Sequence, residues 1–138
     1  MVLNPYLNFD GNAEEAMRFY ASVFGGEVFV QKMSDAPGTE NIPDAEKKRA
    51  MHASITIGNQ HLMASDILPS QGHKLTQGNN NYISITADSR EEGDRLFKGL
   101  SEGGKVEMPM ADMFWGDYFG SFEDKFGVRW MINVPSKK

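Results

Sequence analysis

Residues 6–28, YLNFDGNAEEAMRFYASVFGGEV, and residues 82–106, YISITADSREEGDRLFKGLSEGGKV, carry one pattern twice. Superposed, Tyr6 meets Tyr82, Glu14 and Glu15 meet Glu91 and Glu92, Arg18 meets Arg95, Gly25-Gly26 meets Gly103-Gly104, and Val28 meets Val106. The offset drifts from 76 to 78, so small gaps separate the copies. Two copies at half the chain length imply a duplicated supersecondary unit, not a solenoid, and neither copy buries its apolar face alone.

Each copy opens with an alternating strand-like segment. Leu7 and Phe9 alternate with Tyr6 and Asn8, and Ile83 and Ile85 alternate with Tyr82 and Ser84. A capped helix follows. Asn12 with Glu15, and Ser89 with Glu92, have the spacing of capping boxes; Met17, Tyr20, Val23 and Phe24, then Leu96, Phe97 and Leu100, form apolar stripes. The glycine pairs are helix stops, since no G-x-G-x-x-G fingerprint is present to make them a phosphate cradle. Segments 27–33 and 105–110 read as strands, the second demoted towards an edge by Pro109. Segments 50–57 and 60–65 flank the hairpin turn Gly58-Asn59, and 117–123 and 128–134 flank Asp124 to Gly127.

The expectation is therefore an α+β fold of two β-α-β-β-β modules, 1–66 and 81–138, within a single domain spanning 1–138. A polar linker over 67–80 joins them, and loop 34–48, long and polar with two prolines, reads as disordered or a lid, disorder favoured.

At 138 residues the chain is one domain's worth, large enough for a core without staples. Cysteine is absent, which excludes disulfides, thiolate zinc sites and a thiol nucleophile. No stretch reaches the ~18 apolar residues of a membrane span and the start has no leader pattern, so the protein is read as soluble and cytoplasmic. A net charge of −5 with scattered basic residues argues against nucleic acid as a partner.

Strand alternation sorts the side chains into two faces. Leu7, Phe9, Met51, Ala53, Ile55 and Ile57 point with Leu62 and Ala64 towards the helices; in the second module Ile83, Ile85, Val128, Trp130, Ile132 and Val134 do the same. The other face carries Tyr6, Asn8, His52, Ser54, Thr56, His61, Met63 and Ser65, and then Tyr82, Ser84, Arg129, Met131 and Asn133. It is either the wet side of an antiparallel sheet or a partly dry concave surface, for which the tyrosines and methionines argue.

The segments PYLNFDGNAEEAMRFYASVFGGE, MHASITIGNQHLMASD and MPMADMFWGDYFGSFEDKFGVRWMINV resemble the PhnB-like branch of the vicinal oxygen chelate superfamily, with glyoxalase I, fosfomycin resistance proteins, extradiol dioxygenases and bleomycin resistance proteins. The resemblance implies sheets curled around a cleft, a small-molecule ligand and a homodimer. It also implies metal ligands on the first and last strands of each module, at Pro5 or Tyr6, Met63, Asn81 or Tyr82, and Met131. None of these is His, Asp or Glu, so no metal and no cofactor are expected. A ubiquinone-pathway methyltransferase label, which the branch sometimes carries, finds no nucleotide loop here, and S-adenosylmethionine binding is not expected.

His52 is the candidate catalytic residue, as a general base, against a plain hydrogen-bonded strand histidine. His61 opposite Thr56 lies too far along the hairpin to share an ion with His52, and His73 reads as solvated. Tyr6, Asn8, Ser54, Met63, Tyr82, Trp115, Arg129 and Met131 are the candidate substrate-binding residues. Arg129 either pairs an anionic ligand or is held by Glu123 or Asp124. Met108, Met110, Met113, Phe114, Trp115, Tyr118, Phe119 and Phe122 form either an apolar ligand wall or core and interface. Three functions stay open: a metal-independent binding protein or enzyme, a metal-dependent lyase, isomerase or dioxygenase recruiting His52 or His61, and a drug-sequestering resistance protein.

Overall fold

The computed structural model of the chain describes residues 1–136. They form two compact units, Met1–Thr76 and the residues from Gln77 onward, so the division falls inside the polar linker. The first unit is built from β1 (Tyr6–Phe9), α1 (Ala13–Phe24), β2 (Glu27–Lys32), a short α2 (Asp44–Lys47), β3 (Ala50–Ile57) and β4 (Gln60–Asp66). The second contains β5 (Ile83–Thr86), α3 (Arg90–Ser101), β6 (Lys105–Asp112), β7 (Tyr118–Glu123) and β8 (Arg129–Val134). Each unit holds one four-stranded mixed sheet, ordered β1-β4-β3-β2 and β5-β8-β7-β6. In each, the first strand lies parallel to the last and the remaining pairs are antiparallel. The duplicated β-α-β-β-β pattern is thus what the chain forms.

One helix covers one face of each sheet. Met17 and Tyr20 from α1 are buried, as are Phe9, Ile55 and Ala64 of their own sheet, and Leu96 and Leu100 from α3 serve with Trp130 and Ile132 in the second core. Burying side chains of this size is worth roughly 1.5–3 kcal/mol each. The glycine pairs divide two tasks. Gly25 takes a left-handed conformation (φ 85°) and donates to the Ala21 carbonyl to stop α1, whereas a Cβ on Gly26 would stand 2.6 Å from the Thr56 carbonyl oxygen. Gly103 and Gly104 repeat the division, with φ 78° at the first and the Glu123 carbonyl blocking a Cβ at the second. The second glycine of each pair therefore answers to space, not to helix termination.

Four details differ from the sequence expectation. Ser89 does cap α3, its hydroxyl accepting from Glu92 N–H at 3.1 Å, but Asn12 makes no side-chain cap. Asp66, at the end of β4, takes that role: its Oδ1 accepts from Gly11 and Ala13 N–H, both at 2.9 Å, and its Oδ2 from Ala50 N–H at 2.8 Å. The expected inward position of Met51 falls at a bulge where Lys32 pairs with Ala50, and Ala50 is the buried residue instead. Residues 34–48 are folded onto the first unit. Met33, Ala36 and Ile42 are buried, and the buried Glu46 accepts from Ser70 N–H at 3.1 Å. Few apolar residues anchor this segment, which is why its composition reads as loop. Last, β6 ends at Asp112 and not at residue 110; the edge position that Pro109 implied is what the sheet shows, and the proline is tolerated there because the pairing is already irregular on both sides.

Asp66→Ala is expected to cost about 3 kcal/mol or more, since it strands three backbone N–H groups at a site only 6% exposed, and Asp66→Asn less, since it keeps one acceptor. Urea denaturation checks the ranking, and equal costs would remove the carboxylate from this role. Glu46 is held below its ordinary carboxylate value of 4.5, first by a hydrogen bond from the Ser70 hydroxyl and then by the Ser70 N–H. Its contribution is complete above that ordinary value and disappears as pH falls through the lowered one. Glu46→Gln should therefore destabilise at pH 7 and progressively less below pH 4.5; a penalty independent of pH would contradict the assignment.

Candidate functional site

Strand register decides which side chains share the surface opposite the helices. In the first unit, Tyr6 pairs with Met63, Met63 with Ser54 and Ser54 with Phe29, giving one row across all four strands. The next row takes Asn8, paired with Ser65, and His52, paired with Gln31; His52 and Ser65 face each other one step beyond the Ala53–Ala64 pair. Tyr6, Asn8, His52, Ser54 and Met63 are therefore on one face, as expected. Phe29 and Gln31 of β2 complete it, and sequence reading missed them because it left β2 unsorted by face; its alternation with Val28 and Val30 was the available signal.

His52 is half-buried, with Nδ1 3.2 Å from the Tyr6 hydroxyl and the two rings 5.9 Å apart. The contact ties the imidazole to the phenol, with either group able to donate according to the histidine tautomer. His61 Nδ1 lies 3.3 Å from the Thr56 hydroxyl on an exposed part of the hairpin. Four residue steps, about 13 Å along the strands, separate the two histidines, too far for one ion. His73 is not merely solvated, since Leu68 N–H donates to its Nδ1 at 3.2 Å and closes the turn after β4.

In the second unit, Ser84, Met131, Ser121 and Met108 form the row matching Tyr6, Met63, Ser54 and Phe29. The register thus places Ser84, not Asn81 or Tyr82, opposite Met131. Tyr82 precedes β5 by one residue and belongs with Arg129 and Glu123 in the outer row. Arg129 is not free to receive an anion. Its Nη1 is bonded to Glu107 Oε2 and its Nη2 lies 3.6 Å from Glu123, while the Tyr82 hydroxyl donates to the other Glu107 oxygen at 2.9 Å. Burial lowers the Arg129 pKa, but a hydrogen bond to Tyr82 and the two carboxylates outweigh it and raise the pKa above its ordinary value. The irregular pairing at Val106 and Met108 is what turns Glu107 onto this face. Glu107 was absent from the sequence-derived site because a bulge is not written in alternation.

Trp115 does not belong to the sheet face. It stands on the β6–β7 turn, 51% exposed, with its ring edge-on to Phe114 at 5.0 Å and to Phe119 at 6.3 Å. The methionine-aromatic cluster divides accordingly: Phe122 is core, Phe114 is 98% exposed, and Met108 lies on the sheet edge. The second unit also has a half-open pocket of about 370 Å³ at the start of α3, lined by Arg90, Glu91, Tyr118 and Val134 among others. Its cation is committed: Arg90 pairs with Asp112 and lies 4.4 Å over the Tyr118 ring. The Tyr118 hydroxyl donates to Asp94 at 2.7 Å, and that bond, with burial, raises its pKa.

On the first and last strands, where the resemblance places metal ligands, the first unit presents Tyr6 beside Met63 and the second Ser84 beside Met131; phenol, hydroxyl and thioether groups suit Mg²⁺, Mn²⁺, Fe²⁺ or Zn²⁺ poorly. Among the described residues no three His, Asp or Glu side chains come together as a metal site.

Two β-α-β-β-β units, each with its first strand parallel to its last, define the glyoxalase-like class of fold. Residues 2–132 match the Glyoxalase/Bleomycin resistance protein/Dioxygenase superfamily, to which the chain belongs. Protein YjdN of Escherichia coli K12 is 36% identical across the whole chain and 98% of its own length. The crystal structure of protein PA1353 from Pseudomonas aeruginosa is 38% identical with a TM-score of 0.88, covering 99% of each chain. The PhnB protein from Bacillus cereus, named a putative 3-demethylubiquinone-9 3-methyltransferase, is 27% identical with a TM-score of 0.78 over 98% of this chain and 100% of its own. The chain stands in the PhnB-like branch.

If Glu107 and Arg129 act as one unit, Glu107→Ala and Arg129→Ala will be strongly non-additive, the double variant being no less stable than the worse single one. Urea denaturation of the four proteins measures this, and additive losses would show that the pair is incidental.

Proposed function

We propose that this protein binds a small molecule on the polar faces of its sheets without the superfamily's metal, with His52 as the group placed to exchange a proton with that ligand. The observation that carries the reading is the repeated centre of the two faces. Met63 beside Ser54 and Met131 beside Ser121 occupy matching positions in the two units, where a metal-dependent member needs imidazole or carboxylate. A thioether is adaptable, polarisable and apolar, which suits contact with a carbon skeleton better than a hard cation. Ser121 is only 6% exposed, so the second face is partly dry at its centre. Tyr6, Asn8 and Ser54 in one unit, and Tyr82 in the other, supply hydrogen bonds around these centres. Arg129 acts as part of a Glu107–Arg129–Glu123 cluster and not as a free anion receptor.

The methyltransferase name of the Bacillus cereus relative is not adopted. Each sheet here has four strands and a single parallel pair, which provides no doubly wound switch point for a nucleotide-like cofactor. The same reading makes the protein a cytoplasmic homodimer. The resemblance to the superfamily supports the dimer, and no helix among the described residues is long and apolar enough to cross a membrane.

Elemental analysis of protein purified without a histidine tag tests the reading directly. Transition metal far below one equivalent per chain is expected; a stoichiometric metal that survives dialysis would replace this proposal with a metal-dependent lyase, isomerase or dioxygenase.

A further inference from the structure

The first unit's face carries more information about a ligand than its resemblance does. Its second row presents one hydrogen-bonding side chain from every strand, none of them Asp, Glu, Lys or Arg: Asn8, Ser65, His52 and Gln31. Asn and Gln each offer donors and an acceptor, and His52, with its Nδ1 engaged by Tyr6, keeps Nε2 as its second polar atom. The neighbouring row ends at both edges in an exposed aromatic ring, Tyr6 on β1 and Phe29 on β2, the latter 59% exposed. Four strands at about 4.8 Å spacing and rows about 7 Å apart give a patch about 14 Å long, the size of a one- or two-ring molecule.

Neither row contains an Asp, Glu, Lys or Arg side chain. Beyond their ends stand Glu27, two residues before Phe29 on β2, which would oppose an anion, and Asp10, two residues after Asn8, which is held by Arg49 at 2.8 Å. A charged ligand would lose hydration here without gaining a counter-ion, whereas a neutral amide can exchange its water for matched hydrogen bonds. Resting on the reading of these faces as ligand surfaces, we propose that the first unit recognises an uncharged planar ligand bearing adjacent donor and acceptor groups, a carboxamide or lactam on a ring. Gln31 and Phe29 are its specificity-determining residues, one bonding the amide and the other packing on the ring.

Benzamide, benzoate and benzamidine have nearly one shape and three charges, and they separate the possibilities. Each is titrated into the ¹⁵N-labelled protein at pH 7.5. Benzamide should shift the side-chain amide resonances of Asn8 and Gln31 saturably and with the lowest Kd of the three. Gln31→Ala and Phe29→Ala should each weaken it by about threefold to tenfold, the loss of one hydrogen bond or ring contact. Both positions lie on an edge strand, and the unchanged remainder of the spectrum reports an intact fold. Gln31→Glu should shift the preference towards benzamidine. If benzoate or benzamidine binds this face as tightly as benzamide, the uncharged class is wrong while the ligand face stands. Shifts confined to the second unit would overturn the inference and leave the broader reading in place; no shift on either face up to the solubility limit would overturn both.

Discussion

The first unit is organised around one buried carboxylate. Asp66 ends β4 and accepts three backbone N–H bonds, two from the turn that starts α1 and one from the start of β3. It thereby fixes where the helix begins, where β3 enters the sheet and how β1 lies against β4. The second unit meets similar demands with different residues. Ser89 caps α3 locally, and Asp124, buried in the β7–β8 turn, accepts from Phe126 and Val128 N–H and from the Trp130 indole at 2.8–3.0 Å. The two copies therefore preserve a topology while assigning its buried hydrogen bonds to different positions. An unsatisfied buried N–H costs more than the bond itself contributes, so each copy retains some acceptor, but nothing dictates which.

With those anchors in place, register controls chemistry. A one-residue slip along any strand would exchange the helix face for the polar face, and apolar burial on one side prevents it. Ile55, Ala64 and Phe9 in the first sheet, and Trp130, Ile132 and Phe122 in the second, hold the alignment that sets Met63 and Met131 in matching places on the opposite side. The bulges act where this control relaxes. One lets Ala50 replace Met51 in the core, and another turns Glu107 towards Arg129 and Tyr82. Both lie where the edge strands β2 and β6 meet their neighbours, where one residue can be added with little disturbance to the centre.

Much of the fold was legible because its signals are local. Alternation, helical stripes, glycine pairs and the Gly58-Asn59 turn each use residues a few positions apart, and the repetition gave two independent readings of every element. The face assignment of Tyr6, Asn8, His52, Ser54 and Met63 followed from the same period-two pattern. Asp66 as the cap of α1 was not legible, since its partners lie 16 to 55 positions away. Nor was the burial of Ile42 and Glu46 in a segment with loop composition. Arg129 shows both sides: its place on the polar face is a matter of alternation, and its capture by Glu107 depends on a bulge.

By itself the sequence determined the two-module architecture and the sorting of side chains between a core face and a polar face of each sheet. These are periodic or compositional properties, and they survive without knowing any long-range distance. Tertiary structure alone decided which residues of different strands stand side by side: Tyr6 with His52, Gln31 with His52, Glu107 with Arg129. Those neighbours come from strand register and bulges, which are set by packing across the whole sheet and not by any single segment of the chain.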